Sequence, residues 1–98
     1  SQELEGLLNL IGRSSPSALK WQGYFALREH NWMAAEDFYR RALAHIPSDV
    51  ESRYNLCIAL IRMERFHEAG SLASRLMEEH PLDDRAHTLE QLLKAHSP

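Results

Sequence analysis

The sequence predicts an all-α fold of about six helices, and three observations carry that prediction. Apolar residues recur at helical spacings of three and four along nearly the whole chain. Strand signals are lacking: no run joins β-branched residues to a period-two alternation, and no Asn-Gly or Asp-Gly turn occurs. The third observation is an internal echo. HNWMAAEDFYRRALAHIP starts at His30 and ERFHEAGSLASRLMEEHP at Glu64, and each has an aromatic third, an alanine sixth and a proline last.

The elements follow in order. Leu4, Leu7, Leu8 and Ile11 form a short apolar stripe, which GRSSPS (12–17) ends with glycine, serine and proline. Proline is tolerated in a first helical turn, so a second helix is expected from Pro16 or Ser17, carrying Leu19, Gly23, Ala26 and Leu27. His30 and Asn31 make the next turn. A third helix runs from about Trp32 to Ala44, with Ala35, Tyr39, Ala42 and Leu43 on one face, and Pro47 stops it. SDVE (48–51) reads as a helix start, with Ser48 as cap and Glu51 in the capping-box position, and the helix it opens carries Leu56, Cys57, Leu60 and Ile61. After a tight turn at Met63 and Glu64, a fifth helix from about Phe66 to Glu79 carries Ala69, Leu72, Ala73, Leu76 and Met77 up to Pro81. Asp83 or Asp84 caps the last helix, which carries Ala86, Leu89, Leu92 and Leu93.

Superposing 16–49 on 50–83 gives five identities: Arg28 with Arg62, Ala35 with Ala69, Arg41 with Arg75, Pro47 with Pro81 and Asp49 with Asp83. Size classes match further, Trp32 with Phe66, Leu27 with Ile61, small Gly23 with small Cys57 and Leu43 with Met77. A period of 34 built from helix, turn, helix and closing proline resembles the tetratricopeptide repeat. Gly23, Ala35, Tyr39 and Pro47 fit that family's pattern in the first copy, Leu56, Ala69 and Pro81 in the second, and YNLCIAL (54–60) resembles the family's YNLGNAY. Departures are Leu19 and Arg53 in the tryptophan slots, Ala26 and Leu60 in the tyrosine slots, Cys57 for glycine and Ala73 for the second aromatic. The resemblance covers 16–83, extends through the last helix and includes the first only loosely.

What the resemblance implies is a right-handed superhelical array of antiparallel helix pairs, an α-solenoid. The single domain 1–98 then divides into an N-terminal capping helix (1–15), repeats at 16–49 and 50–83, and a C-terminal capping helix or partial third repeat (84–98). Doubling the device has a physical reason, since one helix pair cannot bury its own apolar faces whereas a stack shares one core. Ala35 and Ala69 are expected where the helices of each pair cross closely, and the leucines of the first and last helices should close the ends.

Composition narrows the function. With a net charge of −3 and eleven lysines and arginines scattered along the chain, there is no basic stripe of the kind that binds nucleic acid. No apolar run approaches the ~20 residues a membrane span needs. The opening SQELEG, without methionine, is expected of a processed chain, an expression boundary or a piece of a longer protein. Cys57 is the one cysteine, so no intramolecular disulfide forms, which suits a reducing, cytoplasmic compartment. It takes the family's glycine slot and reads as a buried packing thiol. The six histidines show no i, i+4 pairing, so no zinc site is expected. Neither a Ser/His/Asp order, nor a phosphate loop, nor paired carboxylates appear, and no catalytic residue, cofactor or metal is expected.

Surface remains. In the family the first helix of each pair lines a concave groove, and the corresponding positions here are Ser17, Lys20, Tyr24, Leu27 and Arg28, then Glu51, Tyr54, Ile58, Ile61 and Arg62, continued by Arg85 and Thr88. Tyrosines and aliphatics flanked by cations describe a floor for a peptide, one carrying carboxylates. One subfamily grips chaperone C-terminal carboxylates at five positions; Lys20, Asn55 and Arg85 match three of them, whereas Tyr24 and Leu89 depart. The expectation is a non-catalytic protein-interaction module within a larger adaptor, assembly or chaperone protein. Two alternatives stay open: a self-association element forming homo-oligomers, and a small secretion or pilus-assembly chaperone.

Overall fold

The computed structural model describes residues 2–96, without the side chain of Ile11, the last member of the first apolar stripe. Ser1, Ser97 and Pro98, at the outer ends of the two capping segments, lie outside the described residues. The chain forms six helices, α1 (Gln2–Ile11), α2 (Pro16–Arg28), α3 (Trp32–His45), α4 (Val50–Arg62), α5 (Phe66–Glu79) and α6 (Asp84–Ala95), and no strand occurs among the described residues. Both ends of α4 fall one full period after those of α2, and both ends of α5 one period after those of α3.

Local chemistry sets these boundaries. Ser15 Oγ accepts from the Ala18 N–H and Asn31 Oδ1 from the Ala34 N–H, each satisfying a backbone donor that a helix start leaves unpaired. Asp83 Oδ1 does the same for the Arg85 N–H. At α4 the capping residue is Asp49 rather than Ser48. Its carboxylate accepts both the N–H (3.1 Å) and the hydroxyl (2.5 Å) of Ser52, while Glu51, expected to close a capping box, instead pairs with Lys20. The turns inside each pair are Schellman motifs. The Asn31 N–H bonds the Ala26 carbonyl and the His30 N–H that of Leu27, and one period on Arg65 bonds Leu60 and Glu64 bonds Ile61. Both pivots are left-handed, His30 at φ 59° and Glu64 at φ 60°, where glycine would ordinarily stand.

A single core runs from α2 to α6, built on Ala26, Ala35, Tyr39, Leu56, Leu60, Ala69, Leu76 and Leu89. Each helix packs on the next in sequence, and α4 additionally meets α2 and α6. Leu8 of α1 is buried at the other end, and α1 packs on α2. Ala35 and Ala69 are fully buried, as close crossings demand. The crossing of α2 on α3 is tighter still, because a Cβ added at Gly23 would lie 2.7 Å from the Tyr39 ring. One period later Cys57 replaces glycine and Ala73 replaces the ring, so the atoms gained on one helix are compensated by those lost on the other. Outside the core, Arg65 ties α3 to α5, with Nη1 2.7 Å from Glu36 and a two-pronged contact to Glu68, and Arg40 bridges the same two carboxylates.

The two glycines in α2 and α5 should therefore respond oppositely to alanine. Gly23→Ala drives a methyl into the Tyr39 ring and should cost ~1 to 3 kcal/mol. Gly70, with nothing within 4 Å of its would-be Cβ, should gain about 0.5 to 1 kcal/mol as alanine. Urea unfolding of the two variants measures both.

Candidate peptide-binding face

Helices α2, α4 and α6 lie side by side, since α4 contacts both of the others. Equivalent positions recur once per period, so side chains fall into rows across the three helices: Ser17, Glu51 and Arg85; Lys20, Tyr54 and Thr88; Tyr24, Ile58 and Leu92. Two recesses open on these rows. Ser17, Lys20, Trp21, Tyr24 and Glu51 line one of about 360 Å³. Ile58, Ile61, Arg62, Phe66, Leu92 and His96, with Glu64, line another of about 460 Å³.

The expected residues do not all serve this surface equally. Tyr24 is exposed; Leu27, Tyr54 and Ile58 are half-buried against the core; Ile61 is buried. Asn55 turns away, its amide donating to the Tyr39 hydroxyl at 3.1 Å. Tyr39 is fully buried, and that burial raises the phenol above its ordinary range. Leu89 is also buried, so the five-point carboxylate grip has neither a free Asn55 nor a surface position at 89.

The four cations separate into two classes. Lys20 Nζ lies 2.6 Å from Glu51 and 3.3 Å from Asp49; partial burial opposes its charge, but hydrogen bonds to these carboxylates hold the ammonium above its usual value. Arg85 forks onto Asp83 at 3.0 and 3.1 Å. Arg28 and Arg62, by contrast, have no carboxylate within ion-pairing distance among the described residues, and each rests on a ring. The Arg28 guanidinium is 5.9 Å from the Tyr24 centroid and that of Arg62 is 5.4 Å from Trp32, a geometry worth about 0.5 to 1 kcal/mol when exposed. Trp32 also stacks on His30 at 5.0 Å. The Arg62 contact recurs one period on, where His96 stacks on Phe66 at 4.9 Å.

Trp21 is absent from the expected positions. It is 43% exposed, as is Tyr24, and the two rings meet edge to face at 6.1 Å. Its signal in the sequence is its place three residues before Tyr24, on the same side of a helix; the family's tryptophan slot falls instead at Leu19. Cys57 is fully buried and its thiol is pushed up to about 12 by that burial, against a lowering by Arg53, so it stays protonated at neutral pH. Among the described residues no group of three or more His, Cys, Asp or Glu side chains is arranged to hold a metal ion, and no helix is long and apolar enough to cross a membrane.

Comparison with known proteins bears on this geometry. Residues 26–93 match the family model described as tetratricopeptide repeat. A stretch of 46 residues is 54% identical to Protein POLLENLESS 3-LIKE 1 of Arabidopsis thaliana, covering 47% of this chain and 10% of that protein. The matched stretch is thus about a tenth of the length of that relative. No solved structure matches the chain.

Asp49 stands where the face meets the fold, since it caps α4 and holds Lys20. Burial works against its ionisation, yet the Ser52 hydroxyl and N–H and the Lys20 ammonium hold its carboxyl below the ordinary 3.8. A carboxyl depressed in the folded state contributes stability that is full above its unfolded value and is lost as pH falls through the folded one. Asp49→Ala should therefore cost about 1 kcal/mol at neutral pH, with the difference from the parent shrinking below pH 3.8. Ser48→Ala should change stability by less than about 0.5 kcal/mol. Thermal melts across pH check both.

Proposed function

Because the chain belongs to the tetratricopeptide repeat family, non-catalytic modules that mediate protein–protein interaction, we propose that the α2–α4–α6 face is concave and binds a peptide segment of a protein partner. The segment carries carboxylates, which Arg28 and Arg62 receive, while Tyr24, Tyr54 and Ile58 supply apolar contact. In this reading 16–49 and 50–83 are the complete repeats, 1–15 caps one end, and 84–98 caps the other or begins a third repeat. The module acts within a larger adaptor, assembly or chaperone protein, a reading supported by the Arabidopsis relative, in which the matched stretch is 10% of the whole.

One observation carries the reading. Arg28 and Arg62, a single period apart on adjacent helices, are the face's cations without a carboxylate partner among the described residues, whereas Lys20 and Arg85 are already engaged. Guanidinium groups are planar and present paired donors that match a carboxylate.

Capture of the partner by pull-down and mass spectrometry, followed by titration of its synthetic segment, tests the proposal. Arg62→Ala should weaken binding by about 1 to 3 kcal/mol if the pair is desolvated, Arg28→Ala/Arg62→Ala by more, and added salt should slow association. Tyr54→Ala should weaken it as well. Unchanged affinity in the double arginine variant and in Tyr54→Ala would place the binding surface elsewhere.

A further inference from the structure

The recess at Trp21 and Tyr24 has a chemistry opposite to that of Arg28 and Arg62. Its walls are two aromatic rings set at 86° and both 43% exposed, backed by Phe25 at 5.8 Å from Tyr24 and 6.3 Å from Trp21. Such a corner offers ring faces, which carry the negative part of the aromatic quadrupole, to whatever enters. Glu51, more than half exposed, stands on its rim. Beside it, Asp49 and Glu51 at the start of α4 pair with Lys20, and Asp83 at the start of α6 pairs with Arg85, three carboxylates against two cations. The recess already shows what it prefers. Lys20 lines it and bridges Glu51 and Asp49, and the Tyr24 ring accepts the Arg28 guanidinium from outside the recess.

We propose that this recess is a subsite for a cationic side chain, an arginine or lysine of the bound peptide, held between the Trp21 and Tyr24 rings and the Glu51 carboxylate. The proposal rests on the reading of this face as a peptide site and adds a polarity to it: the ligand is bipolar, with its basic residue at the N-terminal end of α2 and α4 and its acidic residue toward Arg28 and Arg62. It also reverses the expected role of Lys20. Lys20 is the internal competitor for the Glu51 carboxylate in the free protein, and it does not grip ligand carboxylates.

Two probe peptides separate this from the parent reading: acetyl-Gly-Arg-Gly-amide and acetyl-Gly-Glu-Gly-amide, each titrated into the isotope-labelled chain and followed by NMR. The arginine peptide should shift the Trp21 indole N–H and the Glu51 amide. Glu51→Gln should weaken that binding about threefold, the scale of an exposed charge pair, and Trp21→Ala by about two- to fivefold. Lys20→Met, which frees both carboxylates, should tighten it about threefold. Absence of shifts at Trp21 and Glu51, or weaker binding in Lys20→Met, overturns the subsite. The glutamate peptide reports separately on the parent reading through the Arg28 and Arg62 side-chain resonances, so either assignment can fail while the other stands.

Discussion

Helix α4 has to find neighbours on nearly every side, and the rest of the structure answers that need. Ser52, Leu56, Cys57, Ala59, Leu60 and Ile61 are all buried along its length, far more than one partner helix could cover. Its neighbours are α3 before it, α5 after it, and α2 and α6 alongside. Burying a leucine-sized side chain contributes about 1.5 to 3 kcal/mol, so the helix gains its stability from being surrounded, and it is surrounded only in a stack. A lone helix pair would leave one flank of α4 in water.

Surrounding a helix on this scale requires crossings closer than bulky side chains permit. The chain meets the requirement twice with different residues. In the first pair glycine at 23 admits the tyrosine ring at 39; in the second Cys57 takes the extra volume that Ala73 gives up. Because each exchange preserves the spacing, α2 and α4 stay in register, and side chains one period apart line up across the face. The rows that hold Arg28 with Arg62, and Tyr24 with Ile58, are consequences of core packing. The order of side chains on this surface is thus inherited from the crossings beneath it, while the capping residues Asp49 and Asp83 stand at the N-terminal ends of α4 and α6.

Much of this was legible in the sequence because the relevant signals are local. Pro16 in a first turn, Pro47 and Pro81 beyond helix ends, and an unbroken apolar period placed the helices to within a residue or two. Buried positions followed from that period, down to Ala35, Ala69 and Cys57. What could not be read depends on contacts between helices or on backbone choices that leave no residue signature. His30 and Glu64 take the left-handed turn that glycine usually marks. Lys20 finds Asp49, and Arg65 finds Glu36, each across 29 residues of chain, so a spacing argument confined to one helix gives no hint of them. The cap at α4 moved from Ser48 to Asp49 because a carboxylate reaches the Ser52 N–H and hydroxyl together. Trp21 lay in plain view, but its meaning depended on the recess that Glu51 helps to form from the neighbouring helix.

The central claim is that α2 to α6 share one core with α4 at its centre, and native-state hydrogen exchange tests it most directly. In denaturant-dependent exchange, the amides of α4 around Leu56 to Leu60 should be the slowest in the chain, and the slow amides of α3 and α5 should open with the same free energy, that of global unfolding. Exchange in α1, which reaches the stack only through α2, should be faster. If instead α2–α3 and α4–α5 open as separate units with different free energies, or α4 exchanges as fast as the terminal helices, the shared core does not exist.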